Sequence, residues 1–136
     1  FDNRVALVKL SGKDVRAMVA RNLHTDSGIL SLAGARVDAK CESKTLVVRV
    51  FLERKNKELQ DGDVVTIVTN DFLATGGDDA WKGGEVTIKE DAPAIREAIV
   101  SRLKETTPPL DPAAWYDKAR PRISKPSQRP VHCGHH

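Results

Sequence analysis

The sequence predicts an α+β fold with mixed β-sheets and two main helices. Runs of alternating or β-branched apolar residues indicate strands at 4–10, 44–52 and 64–69. Two further segments, which follow Ser11 and Asp91, combine helix-start signals with apolar residues spaced three and four apart. The 136 residues suffice for one domain with a modest core.

The amino-terminal part predicts a strand that runs directly into a helix. Arg4 to Leu10 (RVALVKL) alternates apolar and polar residues, as in a half-buried strand. Ser11 and Asp14 then stand three residues apart, a capping-box pattern with Asp in place of Glu. Apolar residues follow from Val15 at the spacing of one buried helix face. We therefore expect a helix that begins at Ser11 and is ended by the polar stretch His24–Gly28.

The middle of the chain predicts several strands separated by turns. Residues 29–32 and 36–39 indicate two strand pieces. Lys44–Leu52 (KTLVVRVFL) is rich in β-branched residues and gives the clearest strand. The charged run Lys55–Leu59 predicts a solvated turn, and Val64–Thr69 a further strand.

An unusual glycine-rich stretch and a second helix follow. Asn70–Gly84 holds four glycines, three aspartates and Trp81. Asp91–Glu105 predicts a helix capped by Asp91, with Pro93 in its first turn. Six prolines lie beyond Thr107. We assign one domain to residues 1–123 and predict that 124–136 form a basic, proline-rich, disordered tail.

Composition excludes several classes of protein. With 40% hydrophobic and 30% charged residues, the chain is not collagen-like, coiled-coil or disordered. The net charge of +3 is mild, and no nucleic-acid-binding module is recognisable, so we expect no nucleic-acid partner. No apolar run approaches the roughly 20 residues of a membrane span. Because the chain starts at Phe1 rather than Met, we expect it to be the end of a longer protein.

Residue chemistry alone points to no catalytic or metal site. The terminus VHCGHH places Cys133 among three histidines, a set that could ligate zinc. The alternative is a frayed tail or the remnant of a tag, and we favour it because a mobile tail lacks the outer contacts that orient ligands. Cys41 and Cys133 by themselves form neither a disulfide framework nor a tetrahedral metal site. His24 is expected at a helix end, and no catalytic triad can be assembled around it. The residues therefore predict a binding or accessory domain.

One long segment carries a resemblance to a known family. Gly62–Asp78, with Asn70-Asp71-Phe72-Leu73-Ala74-Thr75-Gly76-Gly77-Asp78 at its end, resembles the signature of the 5′-nucleotidase C-terminal domain. Phe1-Asp2-Asn3-Arg4, Leu10-Ser11-Gly12 and Leu30–Val37 are similar to further family segments in the same order. The resemblance runs from Phe1 to about Ile123.

The resemblance implies a role in phosphoester hydrolysis. Members of the family join a metallophosphoesterase domain with two divalent metal ions to a C-terminal domain that holds the substrate, a nucleotide or nucleotide-like phosphoester. They are usually exported, so the implied location is periplasmic or extracellular. Two metals can clamp the attacking and leaving oxygens of an in-line displacement. None of the metal ligands lies in this chain, which therefore holds no catalytic residue and needs the metallophosphoesterase domain as its partner.

The resemblance also indicates which residues would bind the substrate base. The family stacks the base between two rings, which suits a purine since stacking is worth ~1–3 kcal/mol per base. Here Ile29 occupies the first ring position and Asp79 falls at the second, with Trp81 shortly after as the candidate ring. Ser31 replaces a family Asn or Gln and keeps a hydrogen-bonding group. Adenine specificity is therefore not expected to follow from the family.

Four more residues belong to the implied substrate side. Asn3 and Arg4 lie in the family's opening segment, and a guanidinium suits a phosphate, although Arg4 is equally interpreted as a surface strand residue. Gly76 and Gly77 allow backbone close to a ligand or simply a tight turn. The departures at Ile29 and Asp79 leave a second interpretation open, a binding or interaction module that kept the fold and lost nucleotide recognition.

Overall fold

The chain folds into two compact units in the computed structural model, which describes residues 2–28 and 30–134. The first unit joins Phe1–Leu10 to Val64–Asp117, and the second joins Ser11–Asp63 to Lys118–His136. Residues 1–123, predicted to form one domain, are distributed over both units.

The first unit contains a three-stranded sheet and two helices. Strand β1 (Val5–Ser11) lies between β5 (Val64–Asn70) and β6 (Glu85–Thr87). β1 and β6 are antiparallel, with Val8 opposite Val86. The alternation predicted for β1 is confirmed, since Ala6, Val8 and Leu10 are buried. The short helix α2 (Asp71–Ala74) directly follows β5.

The second helix of the first unit begins later than the sequence predicts. Helix α3 spans Ile95–Glu105, and Asp91 does not cap it. The preceding residues are held extended against the start of β1, because the Val5 amide donates to the Pro93 carbonyl at 3.0 Å. The Ile95 amide likewise donates to the Asn3 carbonyl at 2.8 Å. This pairing with a distant segment therefore takes precedence over the local start signal at Asp91.

The second unit contains helix α1 and a four-stranded sheet. Helix α1 (Gly12–His24) begins where predicted, with the Ser11 hydroxyl accepting from the Asp14 amide at 3.2 Å. The strands β2 (Ala35–Glu42), β3 (Thr45–Leu52), β4 (Lys57–Glu58) and β7 (Ile123–Ser124) form a sheet in the order β4-β3-β2-β7. The core residues of this unit are Val15, Met18, Val19, Leu23, Val37, Ala39, Val48, Val50, Leu59 and Val131.

Two local predictions in the second unit are wrong. Residues 30–32 form no strand, whereas the strand piece predicted at 36–39 is confirmed within β2. The charged run at 55–59 is not simply a solvated turn, because Leu59 is 1% exposed and its amide donates to the Val50 carbonyl at 2.8 Å. Pairing with the neighbouring strand draws this run into the sheet and buries its one aliphatic residue.

The carboxyl-terminal segment, predicted to be disordered from residue 124, is attached to the second unit at several points. Ile123–Ser124 pairs in parallel with Val37 and Asp38 of β2. Val131 is completely buried, and Cys133 forms a disulfide with Cys41. The disulfide and the buried Val131 side chain hold this segment in place. The proline-rich composition indicated neither of them, and the segment forms part of the second unit.

Candidate functional site

The glycine-rich loop after β5 is built on side chains that bind backbone amides. The Asn70 Oδ1 accepts from the Leu73 amide at 2.7 Å and caps the short helix α2. The Asp71 Oδ1 accepts from the Arg4 amide at 3.1 Å and from the Phe72 amide at 3.0 Å. Asn and Asp are suited to this work because their short side chains reach nearby amides. The loop is thereby held to the beginning of β1.

The two predicted glycines of the loop have different structural roles. Gly76 has φ 104°, a left-handed conformation that residues with a β-carbon rarely adopt. Gly77 is needed for space, because a β-carbon there would lie 2.5 Å from Cε1 of Phe72. The Phe72 ring therefore lies directly against the backbone at Gly77, while 52% of the residue remains exposed. Asp79 is exposed and has φ 47°.

Trp81, the ring that the sequence analysis expects to stack on a base, is only 9% exposed. Its indole Nε1 is buried without a hydrogen-bond partner among the described residues. The indole is therefore largely covered in this conformation. The exposed ring of the glycine-rich loop is that of Phe72, a residue of the family motif that was not predicted to contact the base.

Arg4 binds backbone carbonyls in the turn before α3. Its Nη2 donates to the carbonyls of Lys89 at 2.6 Å and Glu90 at 2.7 Å, and its Nε to that of Ala92 at 3.3 Å. The predicted alternatives for Arg4, a phosphate contact or a surface strand residue, did not include this binding of turn carbonyls. Carbonyl oxygens carry no formal charge, so these bonds leave the positive charge of the guanidinium in place.

A cleft of about 400 Å³ lies in the first unit beside α3. Its lining residues are Asn3, Asn70, Ile95, Arg96, Ile99 and Val100. Asn70 also caps α2, so the cleft is continuous with the glycine-rich loop. The Arg96 Nη2 lies 3.1 Å from Oδ1 of Asp2, which gives this edge an exposed ion pair. A lining that combines apolar side chains with amide and guanidinium groups suits a small ligand with a polar end.

The remaining predicted site residues belong to the second unit. Ser31 is exposed in the connection between α1 and β2. The next carbonyl, that of Leu32, accepts from Nη1 of Arg122 at 2.9 Å. Ile29 lies outside the described residues. Asn3, Arg4, Gly76, Gly77, Asp79 and Trp81 lie in the first unit, so the chain divides the predicted substrate residues between the two units.

The VHCGHH terminus, considered as a zinc ligand set and disfavoured, has no free thiolate in the structure. Cys133 is joined to Cys41 by a disulfide that spans 92 residues, and His135 and His136 lie outside the described residues. Within residues 2–28 and 30–134, no group of three or more His, Cys, Asp or Glu side chains is placed to hold a metal ion. The same residues include no helix whose length and apolar character would allow it to span a membrane. The pair of cysteines was the signal for the disulfide, but sequence alone could not show that they meet.

Fold and loop together define an α+β domain with a glycine-rich loop at the end of a sheet strand. The family described as "5'-nucleotidase, C-terminal domain" matches residues 1–83, and the chain belongs to this family. The crystal structure of a 5′-nucleotidase precursor from Thermus thermophilus is similar, with a TM-score of 0.61 and 21% sequence identity. The similarity covers 91% of this chain and 25% of the Thermus chain, and it shows a shared fold. A search of curated proteins yields no match.

Proposed function

We propose that the chain is the substrate-binding domain of an exported two-metal 5′-nucleotidase-like phosphoesterase acting on nucleotides or nucleotide sugars. The observation that carries the proposal is the Asn70–Gly77 loop, which has the family's sequence and presents an exposed ring. The chain spans a quarter of the length of the Thermus protein. The two divalent metal ions and their ligands would accordingly belong to a separate metallophosphoesterase domain, and this chain alone is not expected to hydrolyse phosphoesters.

Phe72 is the ring best placed to contact a base. The ring lies against the backbone of Gly77, which restricts its orientation, and half of the residue is exposed. A base stacked on one such ring would gain ~1–3 kcal/mol. The adjoining cleft offers the Asn3 amide and the Arg96 guanidinium, which suit the sugar hydroxyls and the phosphate. Trp81 remains a proposed contact only if substrate binding releases it from its buried position.

Export is supported by the disulfide between Cys41 and Cys133. Disulfides form and persist in oxidising compartments and are rare where thiol reductants are abundant. A location in the periplasm or outside the cell therefore agrees with the chemistry of the chain as well as with the family resemblance.

A second candidate function is a non-catalytic binding module that kept the fold and lost nucleotide recognition. Two observations favour it. Trp81 is covered, and most of the Arg4 donors are occupied by the carbonyls of residues 89–92. A module of this kind would use the cleft beside α3 for a ligand without a phosphate.

Calorimetric titration of the whole chain with nucleoside monophosphates, nucleotide sugars and free nucleosides tests the proposal. We expect saturable binding of one phosphorylated class. Phe72→Ala should weaken it by about tenfold, since the stacking energy of one base is of this order. Trp115→Ala is the matched control, because Trp115 is 67% exposed and lies outside the loop. Absence of binding by the natural protein that contains this chain, with divalent metal added, would exclude the proposal and favour the second function.

A further inference from the structure

We propose that two arginines of the carboxyl-terminal strap, Arg122 and Arg129, are positioning residues for the loop that carries Ser31. The strap is defined as residues 118–134, and the Ser31 loop as residues 25–28 and 30–34. A contact between Ser31 and the ligand is what the family resemblance implies and rests on the proposed function above, whereas the ordering of the loop by the strap does not depend on it. Nothing in the family match covers this segment, since that match ends at residue 83.

Arg129 joins the end of helix α1 to the first half of the Ser31 loop. Its Nη1 donates to the carbonyl and to Oδ1 of Asn22, at 3.0 and 2.8 Å. The same nitrogen lies 3.4 Å from the Ser27 carbonyl, and Nη2 donates to the carbonyl of Gly28. The planar guanidinium presents its donors in one rigid fork, so it fixes these acceptors relative to one another. Arg129 is half-buried; its bonds to Asn22 are partly buried, whereas those to the Ser27 and Gly28 carbonyls are exposed.

Arg122 holds the loop on the other side of Ser31. Its Nη1 donates to the Leu32 carbonyl at 2.9 Å. The backbone of Arg122 is itself fixed, because its carbonyl accepts from the Val37 amide at 2.7 Å. The carbonyls of Gly28 and Leu32, which flank Ser31, therefore each accept a hydrogen bond from a charged side chain of the strap.

The strap is attached to the second unit at both ends, so the backbone positions of its two arginines are held in place. At one end, β7 pairs with Val37 and Asp38 of β2. At the other end, Cys133 is bonded to Cys41 at the end of the same strand. Between them Val131 is fully buried, and its amide donates to the Leu23 carbonyl at 2.8 Å. Arg129 lies two residues before this buried anchor.

A purely structural role for the strap makes a different prediction. If the arginines only stabilised the second unit, their loss would affect all amides of the unit to the same extent. If they position the Ser31 loop, their loss would affect the loop while the sheet stays intact. Amide exchange at individual residues separates the two, since local opening and global unfolding differ in which amides they expose.

The experiment measures amide hydrogen exchange by NMR on the whole chain and on the variants Arg129→Met, Arg129→Lys and Arg122→Met. Arg54→Met is the matched control, since Arg54 is an exposed arginine outside the Ser31 loop. In Arg129→Met we expect exchange to rise by at least about tenfold at Thr25, whose amide donates to the Asn22 carbonyl that Arg129 also binds, because each lost charge-assisted hydrogen bond is worth more than one decade. The amides of Val48 and Val50 should be unchanged. Arg122→Met should act in the same way at the Glu53 amide, which donates to the carbonyl of Gly34 at the end of the Ser31 loop.

Arg129→Lys keeps the charge but replaces the fork by a single ammonium, so it should restore only part of the protection. Unchanged exchange in the loop, or an equal rise in the loop and at Val48 and Val50, would overturn the inference. If Arg129→Met does not fold, Arg129→Lys and Arg122→Met decide by the same criteria.

Nucleoside monophosphate titrations separate this inference from the proposed function. If the wild-type chain binds, Arg129→Met should weaken binding by about tenfold and should have no additional effect in a Ser31→Ala background. Equal effects with and without Ser31 would show that Arg129 does not act through Ser31. If neither the wild-type chain nor the natural protein that contains it binds a nucleotide, the proposed function fails, and the exchange data alone decide whether the strap positions the loop.

Discussion

The ring of Phe72 lies so close to the backbone of Gly77 that a β-carbon at position 77 would stand 2.5 Å from Cε1 of the ring. Real β-carbons do not approach other atoms this closely, so glycine at 77 determines where Phe72 points. The helix α2 that carries Phe72 is only four residues long and is capped by Asn70. The orientation of the exposed ring thus depends on the absence of a β-carbon at Gly77 and on the cap that the Asn70 side chain provides for α2.

Gly77→Ala is expected to turn the Phe72 ring away and to destabilise the protein by about 1–3 kcal/mol, the range for an overpacked site. Chemical denaturation measures the free energy of unfolding, and the Phe72 ring resonances report its displacement. Gly62→Ala is the control, because a β-carbon at Gly62 would meet nothing within 4 Å. Equal stability of the two variants would contradict the close packing of the ring.

Gly12→Ala is expected to be more disruptive than a typical helix substitution. Gly12 is the first residue of α1, and a β-carbon there would overlap the backbone carbonyl of Gln60. Its amide also donates to the Asp63 carbonyl at 2.7 Å, so the two segments cannot separate without losing this bond. We expect a loss of about 3 kcal/mol, measured by urea denaturation. Lys13→Ala, an exposed neighbour in the same turn, should change stability by less than about 0.5 kcal/mol.

Asp63 makes the stability of the second unit depend on pH. The Gln60 amide, which donates to its Oδ2 at 2.8 Å, and Lys57 nearby hold the pKa of this carboxyl below its ordinary value. A lowered folded-state pKa stabilises the protein above the unfolded-state value, and this contribution is lost as pH falls through the folded-state pKa.

In Asp63→Asn we therefore expect lower stability than wild type at neutral pH, with the difference shrinking as pH falls below about 4. Urea denaturation curves across this range provide the measurement. Lys57→Met removes the weaker partner and should leave most of the effect in place. A difference that stays constant down to the acid limit would show that Asp63 contributes through its backbone contacts and not through its charge.

The disulfide between Cys41 and Cys133 links residues 92 apart. Closing so long a loop restricts the unfolded chain, and typical disulfides add about 2–4 kcal/mol. Cys41→Ser combined with Cys133→Ser should lower the free energy of unfolding by this amount, measured by denaturation without reductant. Wild-type protein under strong reductant should match the double variant. If both remain as stable as the oxidised wild type, the strap contacts alone hold the segment.

Local patterns predicted the elements that depend on local physics. The start of α1 followed from Ser11 and Asp14, whose side chain and amide meet within one turn. The strands β3 and β5 followed from β-branched residues, which favour extended backbone wherever they are buried. The motif Asn70–Gly77 likewise predicted a capped turn, since the Asn70 side chain reaches the Leu73 amide within the same loop.

The same patterns were wrong where distant segments compete with local signals. The Asp91 signal for a helix start was overridden by the pairing of Pro93 and Ile95 with residues near the start of the chain. Lys57 and Glu58 were predicted to lie in a solvated turn, yet they pair with β3. In both cases the hydrogen bonds that decide the structure are made to a segment distant in sequence. The pattern of neighbouring residues therefore could not predict them.

By itself, the sequence determined the fold class and the order of the main strands and helix α1, and by resemblance it pointed to the family, because periodicity, caps and motif residues act within one element. Only the tertiary structure decided that Trp81 is covered while Phe72 is exposed, that Arg4 binds carbonyls, and that the proline-rich segment is a strap tied to Cys41. Burial and pairing depend on which surfaces meet, and the strap residues meet partners about 90 residues away or more, so these features follow from the folded chain alone.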